Sequence, residues 1–143
     1  MGNCTAISAV EVLEHTINPA EFLKASLLAN GTDTIVFTTM LFADNHPPTA
    51  REWNYYSLDT GQHIAFFSKK GLEKLGQRLG MDYHPLGRLH LFTWRKVSPW
   101  RLAIASNRLM TLPLAFFAAH RLGSRRGRDQ TLLSKQMQER LPP

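Results

Sequence analysis

Two carboxylates and an imidazole stand at i, i+3 and i+4 in the stretch Glu11-Val12-Leu13-Glu14-His15. In a helical turn that spacing puts all three side chains on one face. Hard carboxylate oxygens beside an imidazole suit a divalent cation such as Mg, Mn or Zn, which binds a hydroxyl and lowers its pKa. Without a metal, His15 has the ordinary pKa of a general base near neutrality. A purely structural use is also open, in which Glu14 caps or pairs locally and His15 hydrogen-bonds the backbone.

The neighbouring elements must place this group. Thr5 to Val10 reads as a short strand without alternation, the pattern of a strand buried on both faces. Asn18, Pro19 and Glu21 form a helix start, and Asn30-Gly31 stops that helix after about Ala29. Thr34 to Leu41 is rich in β-branched and apolar residues, again a strand expected to be buried on both faces. Strand, helix and strand with short connections imply a parallel crossover and an α/β fold. The acidic cluster then sits at the carboxyl end of a strand, where open α/β sheets leave a crevice for ligands.

Residues Ala43 to Gln62 form a long connection, a length that is more often functional than idle. Its Trp53, Tyr55 and Tyr56 are candidates for an aromatic wall against a planar or lipid-like molecule, with core packing as the alternative. Ser68 caps a second helix, Lys69 to Leu79, with Leu72, Leu75 and Leu79 at helical spacing and Gly80 as its stop. Met81 to His84 and Leu89 to Trp94, separated by Pro85-Leu86-Gly87, read as a closing hairpin. His46, His84, His90 and His120 have no partner at ligand spacing and read as surface or satisfied core residues.

At 143 residues the chain holds one domain with a real core. A single cysteine excludes an internal disulfide and a cysteine-rich metal site. The net charge of +6 is uneven: residues 1–94 hold 7 Lys/Arg against 9 Asp/Glu, and residues 95–143 hold 10 against 2. The chain therefore divides into a body, residues 1–96, and an apolar, basic helical tail, residues 97–143. Attraction to nucleic acid or anionic lipid belongs to the tail. Its longest uncharged stretch, Leu109 to Ala119, is far short of the ~20 residues that span a bilayer. It can lie on a membrane surface, or pack on the domain or on a second copy. No secretory pattern opens the chain, so the expected location is the cytoplasm, peripheral to a membrane if the tail engages lipid.

Several of these residues together carry a resemblance. Glu11-Val-Leu-Glu-His15 with Asn18-Pro19, Thr38-Thr39 at a strand end, Trp53 with Tyr55 and Tyr56, and Gly61-Gln62-His63 before Phe66-Phe67-Ser68 resemble the second half of class I S-adenosylmethionine-dependent methyltransferases. The resemblance is particularly to the ubiquinone-biosynthesis O-methyltransferase type, and it covers roughly residues 5–94. The resemblance implies a partial Rossmann-like sheet equivalent to strands four to seven. It further implies S-adenosylmethionine as cofactor and methyl transfer to a hydroxyl of a small-molecule acceptor. Carried over position by position, Glu11, Glu14, His15 and His63 become metal ligands and His15 a catalytic base. Val10 becomes a cofactor contact, or else an ordinary core valine.

The resemblance breaks off at the amino end. The family holds its cofactor mainly through the first three strands, with a glycine-rich turn and an acidic ribose ligand. None of the nine glycines here forms a G-x-G-x-x-G turn, so the chain reads as the carboxyl-terminal half of the domain, truncated before those motifs. The Thr5 to Val10 strand would then present an open apolar edge, to be covered by self-association or by a complementary amino-terminal half. The competing reading is a catalytically inactive fragment that acts as an interaction module through its basic tail.

Overall fold

The computed structural model describes residues 5–122 and Thr131. The chain forms two compact units, Met1–Ser106 and Asn107–Pro143. The first is built on a four-stranded sheet. Strand β1 (Ile7–Val10) is followed by a 3₁₀ turn (Leu13–His15), helix α1 (Pro19–Ala29) and strand β2 (Thr34–Thr38). After β3 (Leu41–Phe42), a second 3₁₀ turn (Asn54–Tyr56) and β4 (Phe67–Ser68) come α2 (Lys69–Leu79), β5 (Asp82–Leu86), β6 (Leu89–Thr93) and α3 (Pro99–Ser106). The order is β1-β2-β6-β5, with β1 parallel to β2 and β6 antiparallel to both of its neighbours. β3 and β4 form a separate parallel pair. The architecture is mixed α/β.

Local sequence explains both long helices. Asn18 accepts the Glu21 amide at 3.2 Å and Pro19 fills the first helical position, where its missing N–H costs nothing. Ser68 accepts the Gly71 amide at 3.1 Å, and α2 stops at Gly80 in the left-handed conformation. Leu23 and Leu27 of α1 and Leu72 of α2 then pack on Ile35, Phe37 and Phe92 of the sheet. Phe37 and Phe92 stack with ring centres 5.2 Å apart, and burying each contributes roughly 2–3 kcal/mol. At Gly76 a Cβ would lie 3.0 Å from both the Met81 carbonyl and a Phe92 ring carbon. The bare backbone is what lets α2 approach β6.

Three expectations need correction. Neither β1 nor β2 is buried on both faces. Ala9 is buried and Ile7 half-buried, while Ser8 and Val10 are exposed; Ile35 and Phe37 are buried between half-buried Thr34, Val36 and Thr38. Both helices α1 and α2 contribute to the core on one face, so the strands alternate as half-covered strands do. The expected strand Thr34 to Leu41 also breaks at Thr39-Met40. There its partners run out: β1 ends at Val10, opposite Thr38, and β6 begins at Leu89 after the hairpin turn, so neither offers Thr39 or Met40 a place in the ladder. Lastly, Pro85 lies inside β5, paired with His90. β5 is an edge strand, where a missing N–H faces no neighbour. The turn is therefore Gly87-Arg88.

Helix α3 belongs to the first unit and packs against β5. In the second unit, α4 (Arg108–Leu122) carries Pro113 inside it and exposes Leu109, Met110, Leu112 and Phe116. Residues 123–128 of the basic run lie outside the described residues. Among the described residues no helix is long and apolar enough to cross a membrane.

Candidate metal centre

The stretch after β1 does not continue as one helix. Glu11 takes a left-handed backbone, φ 50°, and only Leu13–His15 turn helically. The left-handed region is costly for a residue with a Cβ. Here the Glu11 amide is held by Thr38 Oγ1 at 3.0 Å, across to the end of β2. The sharp turn sends Leu13 and Glu14 into the interior, both fully buried, and leaves Glu11 and His15 exposed. The single helical face expected for Glu11, Glu14 and His15 is thus not formed.

Convergence arises instead from the long connection. The Glu14 carbonyl accepts the amides of Ile64 and Ala65 at 2.8 and 3.0 Å, which brings His63 beside His15, ring centres 4.8 Å apart. One ligand atom from each of Glu14, His15 and His63 lies within 4.8 Å of the others. Glu11 stands outside this trio and joins it through Tyr55. The Tyr55 hydroxyl donates to Glu14 Oε1 at 2.6 Å and lies 3.1 Å from Glu11 Oε2, with Thr39 Oγ1 at 3.2 Å.

The donor set fits a divalent cation on two counts. First, Glu14 Oε2 is buried and has no hydrogen-bond partner among the described residues, and an orphaned buried oxygen is costly without a ligand. Second, His15 Nδ1 lies 2.8 Å from the Gln62 carbonyl, and His63 Nδ1 hydrogen-bonds the Tyr55 carbonyl. A carbonyl only accepts, so each neutral ring carries its proton on Nδ1 and keeps the Nε2 lone pair. Imidazoles oriented in this way are characteristic of metal ligands. With bonds near 2.1 Å, ligand atoms lie about 3 to 4 Å apart, so closing on an ion needs only a small inward movement of exposed His15.

Burial pushes the Glu11 carboxyl up, but hydrogen bonds with Thr38, Glu14 and Tyr55 and the charge of His63 outweigh it, holding the group below the usual carboxylate value. Burial and the Glu14 carboxylate raise the Tyr55 hydroxyl well above its ordinary value. Tyr55 therefore keeps its single proton, directed at Glu14 at 2.6 Å, with Glu11 close by at 3.1 Å.

The three aromatics of the loop are brought together, but not as one wall. Trp53 packs against Tyr55, Tyr56 and Phe66, with ring centres 5.1, 5.1 and 5.8 Å away, and the Tyr56 hydroxyl bonds the Pro48 carbonyl. Val10 is exposed at the end of β1 and lines a cavity with Glu11. Sequence reasoning noted Thr39 only as part of a strand end and passed over the two backbone carbonyls that orient the histidines. It also passed over Arg88, whose only signal was a Gly-Arg pair between two strands. His90 is core, its Nδ1 2.9 Å from the Tyr83 hydroxyl.

Compared with known proteins, residues 2–86 match the family model described as a methyltransferase domain. No curated protein and no solved structure matches the chain.

Proposed function

The chain belongs to the methyltransferase domain family, and from that premise we propose that it carries the acceptor side of an S-adenosylmethionine-dependent O-methyltransferase acting on a small molecule. The observation that carries this reading is the buried Glu14, with one oxygen uncommitted, facing two histidines whose Nδ1 atoms are tied to backbone carbonyls. The sheet order, ending in the β5–β6 hairpin, supports equivalence to strands four to seven of the ubiquinone-biosynthesis type.

The roles follow from position. Glu14, His15 and His63 hold a divalent cation, with Glu11 beside them. A cation bound there supplies Lewis acidity that lowers the pKa of an acceptor hydroxyl. Tyr55 holds Glu14 with Glu11 beside it; where no cation is bound, the Nε2 lone pair of exposed His15 is instead free to take the proton that the hydroxyl loses. Val10 lies at the strand end where the cofactor is expected. S-adenosylmethionine supplies the electrophilic methyl. No glycine-rich turn is encoded in these residues, and β1 pairs only with β2 among the described strands. Cofactor-side strands joining at the β1 edge, from a second polypeptide or another segment, complete the pocket.

Calorimetric titration of the 143-residue chain with Mn²⁺, and then with S-adenosylhomocysteine, tests the reading. Saturable binding of the metal is expected with or without the second component. A folded chain that binds no metal defeats the assignment of the centre. A second reading rests on α4: exposed Leu109, Met110, Leu112 and Phe116 precede the basic run, a composition that suits an anionic membrane surface. Flotation with and without anionic lipid separates that role from catalysis.

A further inference from the structure

β1, β2 and β5 run parallel and β6 runs against them, so the ends of the first three strands and the start of the fourth share one edge. A cavity of about 680 Å³ opens along that edge. Its two ionic groups stand at opposite ends. Glu11 leaves β1, and Arg88 sits in the β5–β6 turn, two to three strands away in the order β1-β2-β6-β5. At about 4.8 Å per strand that separation is about 10–14 Å. Between them the exposed lining is more apolar than polar, from Val10, Met40 and Leu41 beside Thr38, Thr39 and His90.

Arg88 is placed with some rigidity. Leu86 pairs with Leu89, which leaves Gly87-Arg88 as a two-residue turn, and Gly87 has φ 72°. A positive φ at the first turn position is what tight hairpins need, and glycine supplies it without strain. The Arg88 side chain is exposed and has no hydrogen bond or ion pair among the described residues. A fork of donors with nothing to bind stands at the cavity mouth, and the Glu11 carboxylate repels anions from the other end.

Resting on the acceptor reading above, we infer that the acceptor carries an anionic group, carboxylate or phosphate, roughly 10 Å from the hydroxyl that is methylated, and that Arg88 binds that group. The charges orient the molecule. Its hydroxyl points to Glu11 at the end of β1, its apolar middle lies along Val10 and Met40, and its anion meets the guanidinium, which pairs with carboxylate or phosphate in a fork.

The test uses the full chain with saturating Mg²⁺ and three probes of equal length: 3-(4-hydroxyphenyl)propionate, its amide, and the matching phosphonate, titrated by ligand-observed NMR. The acid is expected to bind about tenfold more tightly than the amide. Arg88→Met should abolish that preference and leave the amide's affinity unchanged, while Arg88→Lys keeps part of it. A phosphonate tighter than the acid assigns the site to phosphate-bearing acceptors; a weaker one assigns it to carboxylates. Equal binding of acid and amide to the native chain, or a preference that survives in Arg88→Met, overturns the anion site and leaves the acceptor reading standing. Failure of all three probes to bind the Mg²⁺-loaded chain overturns both.

Discussion

Two histidine environments lie on the same carboxyl edge of the sheet and differ in one respect. Near β1, His15 and His63 each spend one nitrogen on a backbone carbonyl and keep the other free, and Glu14 leaves a buried oxygen without a partner. Near the β5–β6 hairpin, His90 is almost fully buried and both its nitrogens are engaged, one with the Tyr83 hydroxyl and one with the Thr39 backbone. The first region gathers spare bonding capacity at one point; His90 has used all of its own, and the buried, unpartnered Nε2 of His84 on β5 stands without a second ligand beside it in any cluster of the described residues. Residue type alone would not separate them. What separates a site from a core here is which lone pairs are left over.

The largest test of that contrast is Glu14→Gln. It keeps the shape and the backbone carbonyl that holds residues 64 and 65, but removes the charge that faces the histidines. Mn²⁺ affinity should fall about 100-fold by calorimetry, an effect of the size seen when a ligand is lost. Retention of native affinity would erase the distinction between the two regions.

Next in size, His90→Ala should destabilise the fold by about 2–3 kcal/mol in urea unfolding, through a cavity beside Phe37 and two broken hydrogen bonds. It should leave the metal titration nearly unmoved. His63→Ala should do the reverse, costing under about 1 kcal/mol of stability but at least ~10-fold in metal affinity. If the two variants behave alike, the reserve around Glu14 is not a site.

Tyr55→Phe sharpens the comparison from within the first region. Losing the donor at 2.6 Å from Glu14 should cost about 1.5 kcal/mol, and the Glu11 carboxyl should titrate higher by NMR, because one of the hydrogen bonds that hold it low is gone.

The smallest effect is a titration. Burial lowers the His90 pKa below its ordinary 6.5, outweighing the hydrogen bond to Thr39 that raises it. The folded state therefore resists the proton that the unfolded chain takes up. The resulting stability is present above pH 6.5 and is lost as pH falls from there toward the depressed folded value. Urea midpoints compared at about pH 7.5 and 5.5 should drop more in the native chain than in His90→Gln.

Much of the frame was legible in the sequence because its signals are local. Asn18-Pro19 and Ser68 start helices, Gly80 ends one, and strand-helix-strand implies a parallel pair. The trio Glu14, His15 and His63 was reachable through the family's motif, since its members lie far apart in the chain and no periodicity joins His63 to the others. What escaped depended on tertiary contacts. Glu11 was expected on a helical face, yet Thr38 holds its amide in a left-handed turn. Tyr55 was a candidate for a substrate wall, yet its hydroxyl sits between two carboxylates. The strand through Leu41 stopped early because the two strands that pair with it, β1 and the distant β6, reach only Val10 and Leu89.

One detail bears on how such a centre diversifies. The link between Glu14 and the end of the long connection is made by main-chain atoms, a single carbonyl gripping the amides of residues 64 and 65. Side-chain identity in the intervening segment does not enter that grip. The exposed residues Asn45 to Pro47 can therefore be respliced or lengthened while the ligands hold station, provided Asp44 keeps its bond to the Lys70 amide, since doubling a loop costs only about 0.6 kcal/mol of closure entropy. New acceptor ranges can be drafted onto this stretch with the reactive core unchanged.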